Sequence, residues 1–306
     1  MNPQVMEVIK NSAAVPTVPQ VITRVLQVMQ DPNFDYADVV KAISSDAGAV
    51  SEILRLANSA FFGVRKKVVA LRQALTLLGP RRTRSLLLGR YLVDSLNSRH
   101  VDGVDMGYFW RRSLTSGVLA SNIAGKVAPK VREECFIAAL LADIGMIVLT
   151  QALPARYAPI MAQYTPNGRF VPREKELEAV SATHPEVSAM ILGHWSLPDQ
   201  ITTGVNLHHS AKPGDTEAGQ IARIITASDM IAKLLCEVPD TTEIPQICAE
   251  ASSVSRIDPG SLASLLTTVE AEIEELAEIL RIDVIKSDAY AMIARTIQDQ
   301  LTQPSA

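Results

Sequence analysis

The sequence predicts an all-α protein, and three observations lead to that fold class. Apolar residues recur at three- and four-residue steps in nearly every hydrophobic segment, which is the period of a helix that buries one face. Turn-forming residues separate these segments at helix-sized intervals rather than at the shorter intervals expected between strands. Hydrophobic residues make up 47% of the 306 residues, so the chain can bury a sizeable core.

Five helices are predicted in the first third of the chain. The first ends before Pro32, because proline cannot continue a helix. Asp35 and Asp46 are placed to cap the next two, since a carboxylate at the start of a helix accepts hydrogen bonds from free backbone amides. The last two cover residues 70–78 and 80–96, and Pro80 suits the first position of a helix, where no amide donor is needed.

A polar stretch at residues 97–107, without apolar periodicity, predicts a linker, and a second break lies near residues 238–245. The breaks divide the chain into an N-terminal helical subdomain (1–98), a helical domain (105–237) and a C-terminal helical extension (245–306). The predicted helices of the middle domain cover residues 108–127, 131–151, 154–164, 173–183, 184–195, 198–208 and 217–236.

The sequence of the C-terminal extension predicts a pair of helices. The first of them carries an apolar seam of heptad-like spacing. The seam consists of Leu266, Val269, Ile273, Leu276 and Leu280. At barely two heptads it favours packing within the chain, because short seams rarely hold coiled coils alone. A homodimer through the C-terminal helices is the alternative.

Charge and cysteine content narrow the functional classes. A net charge of −4 argues against a protein that mainly neutralises nucleic-acid phosphates. The three cysteines are widely spaced and include no Cys-x-x-Cys pair, which is typical of free thiols in a reducing compartment. The N-terminus does not resemble a signal peptide, and no stretch reaches the ~18 uninterrupted apolar residues of a membrane-spanning helix. We therefore expect a soluble, cytoplasmic protein that does not contact membranes.

Four of the five histidines, His184, His194, His208 and His209, fall in one short region. Neutral imidazole is a preferred ligand of zinc, iron and other transition metals, so clustering suggests a metal site. A single histidine on a helix is nevertheless more often a satisfied core or surface residue.

Two acids strengthen the interpretation. Asp143 in LLADIGMIVL and Asp229 in TASDM lie in apolar helical segments, where a buried carboxylate is costly without a cation or hydrogen-bond donors. These acids and the histidines are therefore candidates for one polar pocket inside a helical bundle.

These segments resemble known proteins. LLADIG is similar to the His-Asp-Ile-Gly signature of the HD phosphohydrolase superfamily, HPEVSAMILGHWSLPDQI and LHHS to its later ligand segments, and ASDM to its closing aspartate. The first half resembles, more specifically, the HDOD family, the HD-related output domains of bacterial signalling proteins. VPTVPQV, ISSD followed by LRLANSAFFG, and QALTLLGPRRTRSLLL carry that resemblance, which extends over residues 14–234. It implies an HD-domain-like helical bundle.

In active members of the superfamily an early histidine, the His-Asp pair, later histidines and a final aspartate hold metals that activate water for phosphoester hydrolysis. Two positions of this chain depart from that pattern. Ala142 replaces the histidine of the pair, and Arg112 lies about where the early histidine is expected. Neither a methyl group nor a guanidinium has a lone pair to donate. The matching residues are Asp143, His184, His208, His209 and Asp229.

The resemblance thus implies a degenerate pocket without catalytic residues or metal, in a non-catalytic output module that contacts signalling proteins of two-component, cyclic-dinucleotide or motility circuits. The first alternative is a phosphohydrolase of nucleotides or cyclic dinucleotides that keeps iron, manganese or zinc on the five matching residues. The second is a nucleotide-sensing pocket without turnover. We hypothesise that Arg112 replaces the metal's charge by pairing with Asp143 or Asp229; the alternative is a surface Arg112, with the acids held by backbone amides.

Two further features are candidates for an interaction surface. Phe61 and Phe62, next to Asn58 in NSAFFG, are either an exposed docking patch or aromatic anchors between the two halves, and the anchoring role is favoured. The basic run is either a site for an acidic partner or phosphate, or a solvated helix face, which is the commoner case. This run consists of Arg81, Arg82 and Arg84, with Arg90.

Overall fold

The structure is a computed structural model. It describes residues 2–15, 20–29, 31, 33–44, 46–58, 67–97, 101, 104–166, 173–237, 242–282, 295 and 299. Within these ranges every regular element is a helix, which confirms the predicted all-α class.

A single 3-10 turn, Pro129–Val131, lies between α6 and α7 among the described residues. The α-helices are α1 (Pro3–Lys10), α2 (Gln20–Val28), α3 (Tyr36–Ile43), α4 (Ala47–Ala57), α5 (Leu71–Asn97), α6 (Met106–Val127), α7 (Arg132–Leu140), α8 (Ile144–Ala152), α9 (Pro154–Met161), α10 (Arg173–Val180), α11 (His184–His194), α12 (Asp199–Leu207), α13 (Glu217–Cys236), α14 (Ile244–Ser255), α15 (Pro259–Leu266) and α16 (Val269–Leu280).

Helices α2 to α5 pack together at the N-terminal side, and local signals set their ends. The Asp35 carboxylate accepts a hydrogen bond from the Ala37 amide at 2.8 Å, and that of Asp46 accepts one from the Ala49 amide at 3.0 Å. Both predicted caps are thereby confirmed. Helix α5 consists of the two predicted helices joined at Gly79, whose φ of 74° lies in the left-handed region that favours glycine.

Helix α6 is buried on nearly all sides from Tyr108 to Ala124 and lies at the centre of the helices that follow it. It packs against α7 and α13, and α13 also contacts α12 and α14. Helix α11 packs against α8 and α12. This arrangement brings the starts of α8 and α11, the end of α12 and the middles of α6 and α13 together.

The prediction of one helix over residues 131–151 is wrong. The chain forms the 3-10 turn, α7 and α8, with a turn at residues 141–143. The segment Pro129–Ala152 is long and apolar enough to cross a membrane by composition, yet 83% of its most apolar stretch is buried inside the protein. Such burial is typical of core helices in soluble proteins.

A single helix through the C-terminal seam is also wrong, because α15 ends at Leu266 and α16 begins at Val269. The hydroxyls of Thr267 and Thr268 donate to the carbonyls of Ser264 and Leu265, a local hydrogen bonding that competes with helix continuation.

The five seam residues are nevertheless buried, each at most 3% exposed. Helix α16 packs against α4, α5 and α6 of the same chain. Packing within the chain therefore accounts for the seam, and dimerisation stays a prediction.

Candidate functional site

Asp143 lies in the turn between α7 and α8, and Gly145 explains how this turn reaches α11. The Gly145 amide donates to the Ser188 hydroxyl at 2.8 Å. A Cβ atom at position 145 would lie 2.3 Å from the carbonyl oxygen of His184, a distance that no side chain tolerates. Only glycine allows α8 and α11 to begin this close to each other, and their contact places Asp143 beside His184.

Four of the predicted residues converge in one cluster, which we call the His-Asp cluster: Asp143, His184, His208 and His209. One ligand-type atom from each lies within 4.8 Å of those from the others. Asp143 Oδ1 is 3.4 Å from His184 Nε2 and 3.6 Å from His208 Nε2. His184 and His208 are almost completely buried, and the rings of His208 and His209 are 4.0 Å apart between centroids.

Hydrogen bonds on the far side of two rings orient the imidazoles. His184 Nδ1 lies 2.9 and 3.0 Å from the two carboxylate oxygens of Glu176, and His208 Nδ1 lies 2.6 Å from the carbonyl oxygen of Val205. These oxygens accept, so each Nδ1 carries a proton. The Nε2 atoms of both rings are buried and have no hydrogen-bond partner among the described residues. Outer hydrogen bonds of this kind are typical of histidines that ligate metals.

The electrostatics of the His-Asp cluster favour the ligand form of two members. Burial would raise the pKa of Asp143, but the neighbouring rings of His208 and His184 and the charge of Arg112 outweigh burial and hold that pKa far below its usual range. Burial lowers the pKa of His209, and the neighbouring His208 and His184 lower it further. Asp143 is therefore ionised and His209 neutral at physiological pH.

His184 behaves differently from His209. Burial alone would lower its pKa, but the hydrogen bond and charge of Glu176, together with Asp143, outweigh burial and raise the pKa above its ordinary value. Below that raised pKa, a metal would have to displace a proton from His184.

Arg112 pairs with Asp229, one of the two acids that the sequence offers as its partner. Arg112 Nε donates to Asp229 Oδ1 at 2.9 Å and Nη2 donates to Oδ2 at 2.8 Å, which is a bidentate ion pair. The guanidinium also lies over the ring of Tyr164, 5.1 Å from its centroid, and Nη1 is 3.5 Å from the Tyr108 hydroxyl. Arg112 is 3% exposed, so the alternative of a surface arginine is wrong.

The remaining sequence candidates contribute no ligand atom to the His-Asp cluster. Ala142 is buried beside Asp143, and its methyl group has nothing to donate to a metal. His194 lies at the end of α11 and is exposed. The fifth histidine, His100 in the predicted linker, lies outside the described residues.

Sequence reasoning missed Glu176 and Tyr157. Glu176 is fully buried on α10, and its carboxylate accepts hydrogen bonds from the His184 ring, the His184 amide at 3.1 Å and the Tyr157 hydroxyl. Burial, followed by the charge of Glu176, raises the pKa of Tyr157 well above its ordinary value, so Tyr157 stays a donor. Because α10 has the sequence REKELEAV, Glu176 looks like one more acid on a solvated helix.

The proposed interaction surface is only partly described. Asn58 is exposed, and its side chain exchanges two hydrogen bonds with the backbone of Val68, at 2.7 and 2.8 Å, which ties down the segment before α5. Phe61 and Phe62 lie outside the described residues, as do the side chains of Arg81, Arg82 and Arg84. Arg90 is buried and pairs with Asp94, so it is not part of an exposed basic surface. The role of this surface stays a prediction.

Comparison with known proteins gives one family and several similar folds. The sequence model of the HDOD domain matches residues 15–211. A structure from Shewanella amazonensis SB2B, provisionally named a phosphohydrolase, has a TM-score of 0.72 at 22% identity and covers 91% of this chain and 98% of its own. An HDOD domain protein with unknown function from Geobacter sulfurreducens has a TM-score of 0.70 at 17% identity, covering 92% and 97%. At these identities the structures show a shared fold.

A second S. amazonensis structure, provisionally named a metal-dependent phosphohydrolase, has a TM-score of 0.61 at 18% identity, covering 97% of this chain and 96% of its own. An uncharacterised protein of Treponema pallidum (strain Nichols) is 22% identical over 237 residues. That match covers 76% of this chain and 45% of the Treponema protein, so the chain spans about half the length of this relative.

Proposed function

Because the chain belongs to the HDOD domain family, we propose that it is a non-catalytic signalling module that acts through contacts with other proteins. The proposed partners are proteins of two-component, cyclic-dinucleotide or motility circuits in the cytoplasm. The observation that carries the proposal is the bidentate ion pair between Arg112 and Asp229.

This ion pair removes the Asp229 carboxylate from the possible metal ligands and places the positive charge of Arg112 beside the site. Both carboxylate oxygens of Asp229 accept from Arg112, so a cation would have to displace a guanidinium that is 3% exposed. Breaking a buried pair costs about 3–5 kcal/mol. Since Ala142 offers no ligand either, the donors of a second cation are missing, and two-metal activation of water for phosphoester hydrolysis is unsupported.

The residues that remain fit one divalent transition metal. Asp143 supplies a carboxylate oxygen and the three histidines supply imidazole nitrogens, and the unpartnered Nε2 atoms of His184 and His208 lie within 3.6 Å of that carboxylate. Three nitrogens and one oxygen suit zinc, iron or manganese. In place of the metal-free pocket expected from the sequence, we therefore propose that the His-Asp cluster holds a single cation.

The same cluster favours a second candidate function, a metal-dependent phosphohydrolase with a reduced ligand set. When bound, the metal would neutralise a phosphate and lower the pKa of a water ligand. Asp143 and the three histidines would hold it, and Arg112 would keep Asp229 neutralised beside it.

A turnover assay separates the two candidates. The protein purified without chelator is supplied with iron, manganese or zinc and offered a chromogenic phosphodiester, nucleotides and cyclic dinucleotides. The signalling module predicts rates no higher than those of the His208→Ala variant. Turnover by the wild type that disappears in His208→Ala would establish the phosphohydrolase instead.

A partner assay tests the module directly. Cross-linking in the native cell identifies proteins held by the wild type, and the Phe61→Ala/Phe62→Ala variant is compared with it. Loss of specific partners supports action through this surface. If the set of partners is unchanged, the contact surface lies in another part of the chain.

A further inference from the structure

We infer that Glu176 is a positioning residue that presents His184 to a cation in the His-Asp cluster, with Tyr157 holding Glu176 in place. This inference rests on the proposed single cation. It concerns residues that supply no ligand atom themselves and that act through a ligand.

Burial makes the hydrogen bonds of Glu176 obligatory. Glu176 is 0% exposed, and its carboxylate accepts from His184 Nδ1, the His184 amide and the Tyr157 hydroxyl. No lysine or arginine among the described residues lies within ion-pair distance of it. A carboxylate buried in this way is costly unless hydrogen-bond donors surround it. Glu176 therefore requires a proton on His184 Nδ1.

The required proton fixes the direction of the His184 ring. With Nδ1–H bonded to Glu176, Nε2 faces Asp143 at 3.4 Å and keeps its lone pair in the neutral ring. A flipped ring would turn a C–H group toward Glu176 and remove one of its donors. The carboxylate therefore selects both the tautomer and the orientation that a metal needs.

His208 provides an internal comparison. Its Nδ1 is held by the backbone carbonyl of Val205, which no side-chain substitution changes. The orientation of His184, by contrast, depends on a side chain from α10, supported by Tyr157 from α9. Substituting Glu176 should therefore disturb one ligand of the cluster and leave the others in place.

The test compares Glu176→Gln with Tyr157→Phe and with a control, Glu178→Gln, which changes an exposed acid of the same helix. Zinc and manganese are titrated into each protein in competition with a chromophoric chelator. Glu176→Gln should weaken binding about 10- to 100-fold, as losses of such outer partners do. Tyr157→Phe should weaken it less, and Glu178→Gln not at all. Wild-type affinity in Glu176→Gln overturns the inference.

A second readout needs no metal. Nitrogen-15 NMR of the imidazoles, recorded without metal at alkaline pH where the rings are neutral, should show His184 as the Nδ1–H tautomer in the wild type. The Nδ1–H population should fall in Glu176→Gln, with His208 unchanged. An Nε2–H tautomer of His184 in the wild type contradicts the inference, whether or not a metal binds.

These readouts separate the inference from the proposal on which it rests. If the wild type binds neither zinc nor manganese, the proposed cation is wrong, and the tautomer still decides the role of Glu176. If Glu176→Gln does not fold, by circular dichroism, Tyr157→Phe is judged by the same two measurements. Its wild-type affinity together with a wild-type tautomer then counts against the inference.

Discussion

Removing both partners of the Arg112–Asp229 pair should cost little more stability than removing either one alone. The two side chains are 4% and 17% exposed, so Arg112→Met leaves a buried carboxylate and Asp229→Leu leaves a buried guanidinium. Each single change should lower the free energy of unfolding by about 3 kcal/mol, the lower end for broken buried pairs because Asp229 keeps some solvent contact. The double variant leaves no buried charge without a partner, so we expect a coupling energy of about 2–3 kcal/mol between the two positions.

Urea unfolding of the wild type, the two single variants and the double variant gives this coupling energy. Melting temperatures of the single variants should fall by about 6–12 °C. The matched control is the exposed pair of Arg55 and Glu278, 3.4 Å apart and 45% and 80% exposed, for which the same cycle should give less than about 1 kcal/mol. If the Arg112 and Asp229 effects simply add, the two side chains are not coupled and the ion pair does not hold the site together.

Three further predictions concern the same site. Gly145→Ala should destabilise the protein by at least about 1–3 kcal/mol and weaken metal binding, because the new Cβ would meet the His184 carbonyl. The control Gly193→Ala, with open space around it, should do neither. Thermal unfolding and zinc titration measure both effects. Ala142→His alone should give no phosphodiesterase activity, and robust turnover would show that the missing ligand was misplaced. Because the pKa of His184 is raised, metal affinity should increase with pH until that group is deprotonated, and a pH-independent affinity in competition titrations would contradict the assignment.

The parts of the fold that local chemistry determines are predictable from the sequence. Asp35 and Asp46 cap helices because a carboxylate needs only the next few amides, and Gly79 marks the join within α5. The turn at residues 141–143 is different, since residues 131–151 have the pattern of one apolar helix. The break coincides with the close packing of Gly145 against α11, a contact between segments that no local pattern contains.

The same division applies to the candidate site. Residue types and resemblance pointed to Asp143 and the histidines, and they left two acids as partners for Arg112. Only the packing of α6 against α13 selects Asp229. Glu176 could not be found, because its neighbours on α10 are exposed charges and its burial comes from tertiary contacts with His184 and Tyr157.

The most direct test of the central claim is to count cations and turnover on the same preparation. The protein is saturated with manganese, iron or zinc, separated from free metal and analysed for bound metal and phosphodiesterase activity. We predict one cation per chain, lost in His208→Ala, and no turnover. Two cations per chain together with phosphodiester hydrolysis would contradict the assignment of a single-cation, non-catalytic site.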